Sequence, residues 1–317
     1  MTKFPRAFSL LELVVVLTLI GMLAALVLPA IQAGRETARR QTCLNKMRGL
    51  GLALHEFIDE HRVLPGSGTL VRDADGRENS HAWSTYLLPY LYESGERNFY
   101  DQEQAWNTGV NRETTSALRS EFLCPTIPFA DRRTVDRDQF AAGSTDYVPV
   151  AATRMELYFV NDLPQPKAYA GLLDDEVEIA KRVRTRVVKD GLSRTIFLTE
   201  SAGQPRYYVS PGVPGPAFYN DGVNATVTNG VMRGGAWADP LNRLTYHGVN
   251  ADGLRGPGDC AMNCSNNKEP FSFHTGAINV VMADGSSRTV SDSTEIGVFA
   301  AAMTRDGGEA FDLPAQD

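Results

Sequence analysis

The sequence predicts an α+β fold, in which one long N-terminal helix packs on a mainly antiparallel sheet joined by long loops. Three observations carry that expectation. An uncharged apolar run over 13–31 leads into an amphipathic stripe at helical spacing. Short β-branched and aromatic runs at 145–152, 195–200, 206–210 and 277–290 suit strands, and Gly, Pro and Asn crowd 203–243, which suits loops. The chain has 317 residues, 43% hydrophobic and 22% charged, which is enough for a packed core and too apolar for a largely disordered protein. Its 31 basic and 38 acidic side chains leave a net charge of -7, which argues against nucleic-acid binding by bulk electrostatics. A mean hydropathy of -0.24 excludes a polytopic membrane protein.

The run from Leu13 to Ile31 carries no charge. At 1.5 Å per residue it spans about 29 Å as a helix, close to the hydrocarbon core of a bilayer. An ordinary cleaved signal would explain the position, with Lys3 and Arg6 as its basic start, but the run is too long and no small-x-small cleavage site follows. Instead Leu44, Met47, Leu50, Leu54, Phe57 and Ile58 recur at spacings of three and four. A rod from about residue 9 to 60, half in lipid and half against a globular body, accounts for both patterns. Glu12, between Leu11 and Leu13, sits at the rod's N-terminal end, where the helix dipole favours an acid. Inside lipid that carboxylate would need a cationic partner.

The stretch Phe8-Ser9-Leu10-Leu11-Glu12-Leu13-Val14-Val15-Val16 resembles the class III signal of type IV prepilins and type II pseudopilins. The resemblance implies a leader over 1–7, cleavage between Ala7 and Phe8 by a prepilin peptidase, N-methylation of Phe8, a transmembrane helix over 8–31 and an exported pilin-like body over 32–317. Ala7 departs from the glycine usual before the cut, and Pro29 matches a proline common in the pilin helix. Positive charge after the span (Arg35, Arg39, Arg40, Lys46, Arg48) would by itself place the body in the cytoplasm. The prepilin motif is the more specific signal and implies the opposite: a single pass through the inner membrane with the body periplasmic or at the cell surface. Further segments extend the resemblance to a bacterial prepilin-type family with a C-terminal H-x(9)-D-G element: Arg39-Arg40-Gln41-Thr42-Cys43, Gly51-Leu52-Ala53-Leu54-His55, Leu87-Leu88-Pro89-Tyr90-Leu91, Phe122-Leu123-Cys124-Pro125, Asp190-Gly191-Leu192-Ser193-Arg194-Thr195-Ile196, and His274 with Asp284-Gly285.

An exported body meets an oxidising compartment, so the four cysteines are expected as disulfides, Cys260–Cys264 and Cys43–Cys124, the second tying the rod to the body. Cys260 and Cys264 would also suit half a zinc site, completed by His247, His274 or the other cysteines; the expectation is no metal and no cofactor. Asp73, Asp75, Gly76, Glu78 and Asn79 resemble part of a calcium loop without its full spacing, and a polar turn is the simpler reading. There is no Gly-x-Ser-x-Gly elbow, phosphate loop or His-Glu-x-x-His, and the histidines at 55, 61, 81, 247 and 274 do not cluster at ligand spacing, so no enzyme is expected. Residues 81–92 read as a short aromatic helix or turn that fills core.

His274 and Asp284 invite reading as a catalytic or metal-binding pair, but the β-prone run between them argues otherwise. Asp284-Gly285 predicts a two-residue hairpin turn, pairing Ala283 with Ser286 and Val281 with Arg288 and placing Asp284 in a left-handed position. His274 is then expected to have a separate, local task at the start of the strand. The leading functional expectation is a pilin-like or pseudopilin-like subunit whose partners are prepilin peptidase, other such subunits and membrane lipid. The alternative is a membrane-anchored envelope protein binding an extracellular ligand such as a polysaccharide, with Tyr207, Tyr208 and Trp237 as stacking platforms. A third reading, a periplasmic enzyme, needs a polar pocket with convergent titratable groups.

Overall fold

The computed structural model describes residues 10–72, 78–92, 100–129, 132–135, 140–173, 177–178, 184–220, 224–232, 234–308 and 313. Ala7, Phe8 and residues 73–77 of the calcium-like stretch lie outside the described residues. Helix α1 runs from Leu10 to His61 and passes Pro29 without a break. Its apolar half stands clear of the body: the most apolar 18-residue window has mean hydropathy 2.7 and is 0% buried. That helix is long and apolar enough to cross a membrane. Its second half is amphipathic and buries Cys43, Met47, Leu50, Gly51, Ala53, Leu54 and Phe57. The expected stripe is therefore turned slightly: Cys43 lies in the seam, while Leu44 and Ile58 flank it half-buried.

Five strands form the main sheet: β1 (Tyr147–Thr153), β2 (Ile196–Glu200), β3 (Leu244–Tyr246), β4 (Ala277–Met282) and β5 (Ser287–Ser291). Their order is β3-β1-β2-β4-β5. Only β3 and β1 run parallel; the other neighbours are antiparallel. One face meets α1 and α2 (Trp83–Leu91) through Tyr147, Phe197 and Val281, with Trp83, Phe122 and Trp237 alongside. The other face, with Val148, Val150, Ile196, Ile278 and Val280, packs on α3 (Ile296–Met303) through Phe299. Both faces being covered explains why every residue of β2 and β4 is buried and why their apolar residues do not simply alternate with polar ones.

The hairpin forms at Asp284-Gly285, but its register is one residue from the expected one: Val281 pairs with Ser287 and Val280 with Arg288. The Met282 amide donates to the Ser286 carbonyl at 2.8 Å, closing a three-residue loop. Within it the positive φ, 81°, falls on Gly285 rather than Asp284. Asp284 instead accepts the Ser286 amide at 2.9 Å and its hydroxyl at 2.6 Å, an Asx-type turn.

This turn lies against α1. A Cβ on Gly51 would come within 3.0 Å of the Gly285 Cα and carbonyl oxygen, and one on Gly285 within 3.0 Å of His55. Gly285→Val should thus combine left-handed strain with crowding and destabilise the body by about 1–3 kcal/mol. Gly34→Ala, where nothing lies within 4 Å, should be neutral or slightly stabilising. Thermal unfolding of the two variants in detergent, followed by circular dichroism, checks the contrast.

Candidate functional site

Four side chains of metal-ligating or nucleophilic type meet where α1 joins the sheet. Cys43 projects from the buried seam of α1, and Cys124 follows the short helical turn Ser120–Phe122. Glu200 ends β2, and its pairing opposite Tyr147 turns it toward α1. His274 precedes β4. The two Sγ atoms, a carboxylate oxygen and an imidazole nitrogen all lie within 4.8 Å of one another, and all four residues are buried. Cys43 Sγ donates to Glu200 Oε1 at 2.8 Å and lies 3.1 Å from the Tyr147 hydroxyl. His274 Nε2 is 3.4 Å from Cys124 Sγ and 3.5 Å from Glu200 Oε1.

Surrounding groups fix these side chains. His274 Nδ1 is 2.6 Å from Glu36 Oε1, seven residues before Cys43 on α1. The Asn279 amide donates to Glu200 Oε2 at 2.7 Å, and the Cys124 amide donates to Asp146 Oδ2 at 2.7 Å. Lys46 Nζ donates to the Leu123 carbonyl at 2.9 Å and Arg40 to the Thr275 carbonyl at 2.7 Å, so each cation stands one residue from a member of the cluster. Burial pushes the Cys43 thiol well up, helped by Cys124 and Glu200. The Cys124 thiol is lowered, first by its neighbour Cys43 and then, against burial, by His274. Burial pulls His274 down, but Cys124, Glu200 and Glu36 outweigh it and raise its pKa to about 9.

Cys124, His274 and Glu36 follow the line of a nucleophile, a base and an orienting carboxylate. Cys124 is only 4% exposed and His274 1%, so a substrate cannot reach the sulfur in this conformation. The four clustered residues are, by contrast, a set that could hold a metal ion.

The sequence profile described as "Protein of unknown function (DUF1559)" matches residues 32–297. The chain belongs to the DUF1559 family. No curated protein and no solved structure matches it. The DUF1559 region contains the whole cluster and begins after the apolar run, so the prepilin-like motif and Glu12 lie outside it.

Several expectations need correction against this DUF1559 body. Cys260 and Cys264 are joined by a disulfide, but Cys43 and Cys124 are free buried thiols. Each of these sulfurs has a polar partner instead, Glu200 for Cys43 and His274 for Cys124. His274 does not act locally: its ring reaches α1 and Cys124, while Asp284, past the far end of β4, shapes the turn. Tyr207, Tyr208 and Trp237 are buried and present no stacking platform to solvent. Glu12 lies in the first turn of α1. Glu200 and Glu36 were not singled out from sequence; Glu200 is the one charge ending an otherwise uncharged strand, and that was the available signal.

His247 lies outside the cluster, paired through Nδ1 with Glu269 at 2.6 Å, both 2% exposed. Burial lowers its pKa, but the charge and hydrogen bond of Glu269 outweigh this and the net shift is upward. The pair therefore stabilises fully below the unfolded histidine value near ~6.5 and loses that contribution as pH rises through the raised folded value. The stability advantage of the wild type over His247→Gln should shrink as pH rises across that window, measured by urea unfolding at fixed ionic strength.

Proposed function

We propose that this DUF1559 chain is a pilin-like or pseudopilin-like subunit, processed between Ala7 and Phe8, held in the membrane by α1 and contributing to a filament or secretion-type assembly. The observation that carries the reading is the two-part character of α1. One continuous helix is bare and apolar in its first half and seated on the sheet in its second. A bare apolar half needs lipid or the apolar helices of other subunits around it. The motif Phe8-Ser9-Leu10-Leu11-Glu12 at its start supports processing, and the absent enzyme signatures fit a structural role. In an assembled bundle the Glu12 carboxylate would neutralise the amino group of a neighbouring Phe8, since an ion desolvated without a partner is far costlier than a paired one.

N-terminal mass spectrometry of the native protein tests the processing step. The expected chain begins at N-methylated Phe8; an intact Met1 terminus would remove this reading. Glu12→Leu should leave cleavage largely intact while reducing the sheared, sedimenting surface fraction by about tenfold or more. Wild-type yields of polymer from that variant would refute the pairing. The other reading, binding of a sugar through exposed loop aromatics, has lost the three residues named for it, because all three are buried.

A further inference from the structure

We propose that Cys43, Cys124, Glu200 and His274 bind one zinc ion in a closed structural site that fastens the stalk helix to the sheet. The donor set, two sulfurs, one imidazole nitrogen and one carboxylate oxygen, is of the kind that zinc takes in four-coordinate sites. In a tetrahedral site with Zn–S near 2.3 Å and Zn–N or Zn–O near 2.0 Å, the donors stand about 3.3–3.8 Å apart. Here Cys124 Sγ and His274 Nε2 are 3.4 Å apart, His274 Nε2 and Glu200 Oε1 3.5 Å, and Cys43 Sγ and Glu200 Oε1 2.8 Å. No donor pair is more than 4.8 Å apart, so side-chain shifts of about 1 Å would bring the set to those spacings.

The surroundings fit the same ion. A zinc-bound histidine ordinarily offers its second nitrogen to a carboxylate, and Glu36 accepts from His274 Nδ1 at 2.6 Å, which leaves Nε2 turned into the cluster. The second oxygen of Glu200 is held by the Asn279 amide, which leaves Oε1 for the ion. Two thiolates and a carboxylate around a divalent cation carry a net charge of minus one. Lys46 and Arg40 stand at the carbonyls of Leu123 and Thr275, beside the ligands, to offset it. Four protein ligands, all at most 4% exposed, leave no position for substrate, so the site is structural rather than catalytic. A Cys43–Cys124 disulfide would use only two of the four donors. It would also take away the thiol proton that Cys43 now gives to the buried Glu200, without supplying the cation that zinc puts in its place. The inference rests on the cluster alone and is independent of the filament reading.

Elemental mass spectrometry of the full-length protein, extracted in detergent from zinc-supplied cells, should find about one zinc per chain. Cys124→Ser and His274→Asn should each lower zinc content by about tenfold or more, whereas His247→Gln should retain it. Because the first two variants could misfold, the wild type supplies a second test: a thiol-reactive mercurial should release the zinc to a chromogenic chelator. Cobalt put in its place should give a sulfur-to-cobalt charge-transfer band and tetrahedral ligand-field bands. The proposal is overturned by folded wild-type protein that holds no stoichiometric metal after zinc loading. A Cys43–Cys124 linked peptide in a non-reduced digest, or full zinc content in folded His274→Asn, overturns it equally.

Discussion

Asp146→Ala is expected to destabilise the body by about 3–5 kcal/mol, the range for stripping one partner from a buried ion pair. The Asp146 carboxylate is fully buried and bonds the Arg132 guanidinium, itself almost fully buried. It also accepts the Gly203 amide at 3.0 Å through Oδ1 and the Cys124 amide at 2.7 Å through Oδ2. Removal would strand a cation and two amides away from water. Among the described residues, Arg132 also meets the Gln204 carbonyl at 3.3 Å and the Phe129 ring at 5.3 Å, and neither replaces a full negative charge. Asp146→Asn keeps one carbonyl acceptor and should lose less. Urea unfolding of the three proteins orders them; a loss under about 1 kcal/mol for Asp146→Ala would show that Arg132 finds water or another anion. The same substitution frees the backbone at Cys124, so the cysteine cluster should loosen with it.

The elements legible in the sequence are those whose signal is local. The stripe Met47, Leu50, Leu54 and Phe57 repeats at helical spacing and forms the buried face of α1. The runs at 145–152, 195–200, 206–210 and 277–290 each contain a strand or, for the last, most of a hairpin. The hairpin was legible at Asp284-Gly285 and its register was not, because the same dipeptide serves a two-residue loop or, with Ala283, a three-residue one. The turn also meets Gly51 and His55 of α1, a contact that no local pattern encodes.

The cluster was illegible as a whole. Its members come from a helix, a loop, a strand end and a second loop, and only the order β3-β1-β2-β4-β5 makes Glu200 and His274 neighbours. Cysteine counting found Cys43 and Cys124 as a pair but misjudged their bonding, since a pairing argument sees sulfurs and not the carboxylate and imidazole beside them. The strand between His274 and Asp284 correctly separates the two, but the partners of His274 are Glu36 on α1 and Cys124 rather than nearby backbone.

Trp237→Ala should cost about 3–5 kcal/mol, as expected for emptying a tryptophan-sized core site. The indole is 1% exposed and stacks on Phe122 with centroids 5.5 Å apart and planes 13° from parallel. Its Nε1 donates to the Ala117 carbonyl at 3.1 Å, and its backbone amide donates to the Gly143 carbonyl at 2.9 Å. Arg119 lies over the ring at 5.9 Å. The side chain thus fills the core, satisfies a part-buried carbonyl and covers the same Phe122 that precedes Cys124 by two residues. Trp237→Phe keeps the stack but leaves the Ala117 carbonyl without its donor, and should cost about 1–3 kcal/mol. The two roles considered for this residue separate cleanly on measurement. A sugar-stacking tryptophan would leave unfolding unchanged and abolish ligand binding, whereas a core tryptophan lowers the unfolding midpoint in the order wild type, Phe, Ala. An unchanged midpoint for Trp237→Ala would return the residue to the surface and reopen the ligand reading.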